Sequence, residues 1–151
     1  MKRIKVSKNF YLDEFIPRNI YRRYGAKSIW FLDPRLIQLA QGLRDFLGVP
    51  VTVNNWANGG RRQYSGYRPP RTNVGAYYSQ HKFGRALDVQ VNLGALDLSS
   101  YEDLREVIKI NYPYFKALGL TCIEKSTKTW LHLDMRHTDS DELMEVPGPR
   151  K

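Results

Sequence analysis

The stretch Ser79-Gln80-His81-Lys82-Phe83-Gly84-Arg85-Ala86-Leu87-Asp88 carries an irregular loop into a strand, and the rest of the chain can be read outward from it. Gly84 lets the backbone turn from loop into strand without a side-chain clash. From Arg85 to Asn92 the residues alternate, so Ala86, Asp88 and Gln90 share one face and Leu87, Val89 and Val91 take the other. Ala86 is small and leaves space beside Asp88 for a ligand. His81, on the loop just before, can fold back over that face.

A second stretch, Trp130-Leu131-His132-Leu133-Asp134, has the same alternation. Leu131, Leu133 and Met135 read as core, which sends Trp130, His132 and Asp134 to the opposite side. Two imidazoles and one carboxylate, with a fourth position left to water, make the ligand count of a catalytic zinc site. His81, Asp88 and His132 are the candidates. Each histidine taken alone reads more simply as a surface or hydrogen-bonded core residue. The trio also suits non-haem iron, but that class sets H-x-D ahead of a distant histidine, and His137 stands too close to Asp134 for that.

Further out, residues 1 to about 30 are basic and aromatic, with a short helical candidate from Leu12 to Ile16. Asp33 is a good N-cap and Pro34 suits the first helical position. Leu36, Leu39, Ala40, Leu43 and Leu47 recur at helical spacing, and Gly48 sits where a C-terminal glycine belongs. Val49 to Val53 reads as a short strand. Residues 54 to 80 follow no period, and a long irregular segment inside a compact domain is commonly functional.

Beyond Asn92, Ser99 and Glu102 form a capping-box pattern opening a helix through Tyr112, which Pro113 ends or kinks. Leu120–Lys125 and Trp130–Arg136 suggest a closing hairpin, and residues 138–151 a polar, flexible tail. The expectation is one α+β domain over residues 1–151, a small antiparallel sheet with flanking helices.

Cys122 is the only cysteine, which excludes an intrachain disulfide and a thiolate zinc cluster. No apolar run approaches the ~20 residues a membrane-spanning helix needs, and no secretory signal follows the basic start. The net charge of +9 calls for a polyanionic partner such as nucleic acid, an anionic membrane or an anionic wall. Tyr64, Tyr67, Tyr77 and Tyr78 stand among arginines, but no nucleic-acid motif accompanies them.

The segment Ser79 to Asp88 resembles, position for position, the S-x-H-x-x-G-x-A-x-D signature of the D-Ala-D-Ala and L-Ala-D-Glu metallopeptidases, whose fold is shared with the hedgehog signalling domain. Ser65-Gly66-Tyr67-Arg68-Pro69 is similar to the family's S-G-Y-R-[SP], and Trp130 to Asp134 to its closing aromatic-x-H-x-D. Phe10-Tyr11-Leu12-Asp13-Glu14-Phe15 resembles the F-x-L-x-E-F opening of phage-borne members. The resemblance implies Zn2+ held by His81, Asp88 and His132, with Asp134 behind them orienting an imidazole through its N–H. It implies Arg68 as the cation that contacts substrate and steadies a developing oxyanion. Ser79 closes the loop and borders the same substrate region.

The chain departs from the family at one position. Many members carry a carboxylate three residues before the last histidine, as general base; here that residue is Thr129. Glu124, eight residues ahead of His132, can replace it only if the hairpin register turns it to the metal face. Pairing Glu124 with Trp130 does so, pairing it with Thr129 does not, and Asp134 is the alternative base. The function implied is a zinc peptidase cutting bacterial peptidoglycan stem peptides, made in the cytoplasm and released by lysis or carried in a virion. A non-catalytic metal-binding virion or wall-binding module on the same fold is the other reading.

Overall fold

A computed structural model describes residues 1–149. Its architecture is α+β: a five-stranded sheet in the order β1-β2-β4-β3-β5, with helices packed against it. The strands are β1 (Val51–Thr52), β2 (Ala86–Val91), β3 (Cys122–Glu124), β4 (Leu131–Asp134) and β5 (Met144–Val146). The helices are α1 (Arg18–Tyr24), α2 (Pro34–Leu47), α3 (Tyr101–Ile110) and α4 (Tyr112–Ala117). Short 3-10 turns punctuate the connections, including Leu12–Glu14 and Gln80–Phe83. Among the described residues, no helix is long and apolar enough to cross a membrane.

α2 forms where its sequence signals place it. Asp33 accepts a hydrogen bond from the Arg35 amide at 3.0 Å, and Gly48 closes the helix with φ +69°. The apolar stripe Leu36, Leu39, Ala40 and Leu43 is fully buried. It packs in one core with Leu87, Val89, Leu131 and Leu133 from the inner face of the sheet. Burying a leucine or isoleucine side chain of this kind contributes roughly 1.5–3 kcal/mol, so the helix and the two central strands fix each other. The polar face of β2 and β4 is thereby held outward.

Four expectations need correction. The sheet is mixed, because β5 pairs parallel to β3 through Cys122–Met144, Ile123–Glu145 and Glu124–Val146. The expected flexible tail 138–151 therefore contains a strand; its last two positions lie outside the described residues. β3 would otherwise present an unpaired edge, and β5 satisfies it. The helix after Asn92 opens at Ser100 rather than Ser99. Ser100 Oγ accepts from the Asp103 amide at 3.1 Å, while the Asp103 carboxylate accepts from the Ser99 and Ser100 amides. That one-residue shift buries Tyr101 beside β2, where its hydroxyl accepts from the Val91 amide at 3.1 Å. Pro113 neither kinks nor simply stops this helix; after Asn111 it sits in the first turn of α4.

The candidate metal site

His81, Asp88 and His132 converge, and one ligand atom from each lies within 4.8 Å of the others. β2 and β4 run antiparallel with Asp88 opposite His132, so one rung of the ladder brings carboxylate and imidazole together. His81 arrives from the 3-10 turn Gln80–Phe83. That turn is capped by Ser79, whose hydroxyl faces the His81 amide at 3.4 Å, and by Gly84 in the left-handed region at φ +66°. A side chain at 84 would run into the Phe31 carbonyl, so the turn requires glycine. Ser79 thus shapes the loop and lines the cleft.

The irregular segment before His81 is held by hydrogen bonds rather than by secondary structure. The Tyr67 amide donates to the Phe15 carbonyl, the Arg68 amide to the His81 carbonyl, and the Asp88 amide to the Ser65 carbonyl. A side chain at Gly66 would collide with the Phe15 carbonyl. This close approach leaves the Gly66 carbonyl 2.8 Å from His81 Nδ1. A carbonyl only accepts, so His81 Nδ1 carries the proton and Nε2 presents its lone pair. Burial drives His81 below its ordinary pKa, against the opposing pull of Asp88. The lone pair of a neutral His81 then faces Asp88 Oδ2 at 3.2 Å. Arg68 NH2 also reaches Asp88 Oδ2, at 2.8 Å, and the lone pair of His81 beside this carboxylate suits a shared cation.

The second histidine is held at both ring nitrogens. His132 Nδ1 lies 2.8 Å from Asp88 Oδ1, and Nε2 lies 2.8 Å from Asp134 Oδ2. Burial alone would lower its pKa, but the bonds to Asp134 and Asp88 reverse this and push it up to about 9. Burial raises Asp88, yet the charged His132 bonded to it holds its carboxyl well below the usual range. Asp134 is held at about 2, because Arg136 and His132 overcome its burial. Arg136 grips it with Nε at 2.8 Å from Oδ1 and a second bond from the guanidinium to Oδ2. Nothing in the sequence reading singled out Arg136. The signal available was its place two residues after Asp134, on the same face of the extended chain.

Arg68 is not a solvated loop arginine. It is 9% exposed, with NH2 2.8 Å from Asp88 Oδ2 and Nε 2.7 Å from the Tyr64 carbonyl. Gly75, at φ +79°, passes close to Arg68 NH1, and a Cβ there would lie 2.5 Å from it. Arg62 braces the same strand through its NH2, which donates to the Asp88 carbonyl at 3.0 Å.

Glu124 faces the metal side, though through neither pairing considered from the sequence. β3 and β4 align Cys122 with Asp134 and Ile123 with Leu133, which sets Glu124 across from His132. Its Oε1 is 3.8 Å from His132 Nδ1. A longer turn makes this possible. Arg105, buried on α3, donates to the Thr127 hydroxyl and carbonyl, the Thr127 hydroxyl donates to the Trp130 carbonyl, and Ser126 takes φ +65°. Burial raises the Glu124 carboxyl above its ordinary pKa, the direction that suits a proton acceptor near neutral pH. Thr129 stays on the turn, where its carbonyl accepts from Gln90.

These groups line one cleft of about 740 Å³, together with Trp130, Tyr78 and the segment Val146–Pro149. The C-terminal wall was missed because it depends on the pairing of β5. His137 takes no part: it is exposed and near Asp139. The chain matches no family model, no curated protein and no solved structure in the comparisons made.

Proposed function

We propose that this chain is a zinc-dependent peptidase on the hedgehog-like peptidase fold, hydrolysing peptide bonds in peptidoglycan stems. The observation that carries the reading is the buried meeting of the His81 lone pair, Asp88 and His132, a donor set of two imidazoles and one carboxylate. His81 would bind through Nε2 and His132 through Nδ1, each fixed from behind, by the Gly66 carbonyl and by Asp134. When bound, zinc supplies a Lewis acid that polarises a scissile carbonyl and acidifies water.

The chain's own groups supply the rest. Glu124 Oε1 accepts the proton of the attacking water and returns it to the leaving amine. Arg68 NH1, beside Gly75, is the guanidinium nitrogen left over from the bonds to Asp88 and Tyr64, and would be the donor for a developing oxyanion. Tyr78, Ser79 and Val146–Pro149 line the same cleft of about 740 Å³, where the substrate peptide would lie. The protein would act on the wall after release by lysis, or from within a virion.

The test is zinc content and activity together. Purified protein should hold one zinc per chain by elemental analysis and release fragments from purified peptidoglycan by mass spectrometry, and His132→Ala should lose both. A His132→Ala protein with full zinc content would reject the site. The second reading, a metal-stabilised binding module, is favoured by the threonine at position 129. Bound zinc with no hydrolysis of any wall substrate would select it.

A further inference from the structure

A second site lies away from the metal cleft. Arg18 and Arg22 stand one turn apart on α1, and both line two adjoining grooves of about 700 and 660 Å³. The first groove continues over Tyr21, Trp56, Gly59 and Gly60, the second over Arg23, Gln63 and Tyr64. Among the described residues, no carboxylate lines either groove, and Arg18, Arg22 and Arg23 make no ion pair. The acids of the neighbouring segment, Asp13 and Glu14, are held by Arg3. Three exposed guanidiniums on one short helix repel one another, and a polyanion relieves that repulsion while releasing its own counterions.

We infer that these grooves bind a phosphodiester polymer that carries no bases, of the polyol-phosphate kind found on bacterial walls. Arginine forks recognise phosphate oxygens, and Gly59 and Gly60 leave the groove wall without side chains. Base recognition would need open aromatic faces for stacking. Of the rings on the grooves, Tyr21 is buried and packs edge-on against Trp56 at 5.7 Å, while Trp56, whose N–H donates to the Ile16 carbonyl, and Tyr64 are both half-buried. The exposed pair Tyr77 and Tyr78 borders neither groove. The grooves thus offer three guanidiniums to phosphates and no fully exposed ring to a base.

The position relative to the cleft also fits. Gln63 and Tyr64 line the second groove, while Arg62, Ser65 and Arg68 of the same loop line the metal cleft. A polymer held on α1 would keep the stem peptides of the glycan to which it is joined near the cleft. The choice of a wall polymer rests on the peptidase reading, but binding is measured without zinc or turnover, so the two fail separately.

The experiment measures binding of purified poly(glycerol phosphate) by calorimetry across a salt series. The wild type should bind, and affinity should fall as salt rises. Arg18→Gln with Arg22→Gln should bind at least tenfold more weakly, with a salt slope reduced by about one per arginine. Arg18→Lys with Arg22→Lys should keep most of the binding. A control of equal net charge, Lys8→Gln with Lys128→Gln, removes two exposed lysines outside both grooves and should bind as the wild type does. Equal losses in the glutamine pair and the control would reduce the effect to net charge and overturn the site. So would an absence of binding by the wild type, or tighter binding of a single-stranded oligonucleotide of equal charge.

Discussion

Asp134 and His132 are joined at 2.8 Å through Nε2 of the imidazole, which leaves Nδ1 as the nitrogen that faces Asp88. The carboxylate is fully buried and clamped in turn by Arg136, so the ring has one orientation. Asp134→Asn keeps the shape but takes away the charge that polarises the ring and balances Arg136. Zinc affinity, measured by competition with a chromophoric chelator, should drop about 10- to 100-fold. Unchanged affinity would show that Asp134 serves the fold alone.

Glu124→Gln should leave zinc content and melting temperature close to wild type, since the side chain is partly exposed and its shape is kept. Hydrolysis of wall peptides should fall by about 10²- to 10⁴-fold, the usual worth of a general base. If turnover survives intact, the proton goes elsewhere and Asp134 becomes the residue to change.

For Arg68, burial adds a role in stability to the one the resemblance implies. A loop arginine with little core around it would be removed without cost to stability, but this one is nearly enclosed and bonded to Asp88 and the Tyr64 carbonyl. Arg68→Ala should lower the stability of the metal-free protein by roughly 1–3 kcal/mol in denaturant unfolding. It should also slow hydrolysis well beyond any loss of folded protein. A variant as stable and as active as wild type would place Arg68 outside both roles.

The pH dependence follows from His132. Its pKa is raised to about 9 in the metal-free protein, above the 6.5 of an unfolded chain. Its contribution to metal-free stability is therefore complete below about 6.5 and lost as pH rises through about 9. Zinc needs the neutral imidazole, so uptake has the opposite sign: near pH 7 binding should expel one proton from His132, His81 being already neutral. Affinity should climb about tenfold per pH unit and level off near 9. Calorimetry at pH 7 in two buffers of different ionisation enthalpy counts the proton; a count of zero would contradict the arrangement.

The parts of this structure visible in the sequence are those whose signals are local. Asp33-Pro34 and Gly48 bracket α2, and the alternation through Asp88 and through His132 fixes which side chains leave the core. Parity along a strand needs no knowledge of the partner. The partner itself is non-local: Glu124 meets His132 because Arg105, far away on α3, pins Thr127 in the turn. The burial of Arg68 was not legible, since burial of a loop residue depends on chain that arrives from elsewhere. Met144–Val146 carries no period long enough to announce a strand, and it is ordered by the bare edge of β3. The capping pattern slipped by one residue because Ser99 and Ser100 offer the same hydroxyl, and the burial of Tyr101 decides between them.

The short strand β5 also governs how the molecule behaves among copies of itself. With β5 in place the sheet ends in strands of two and three residues, β1 and β5, and Glu145 on the outer one engages Lys109. Such stubs offer a neighbouring chain too few free amides and carbonyls to template growth. Were β5 to lift away, the bare β3 edge would expose the apolar Cys122 and Ile123 to strand exchange. Deleting Met144–Val146 should therefore make the protein more prone to fibril formation.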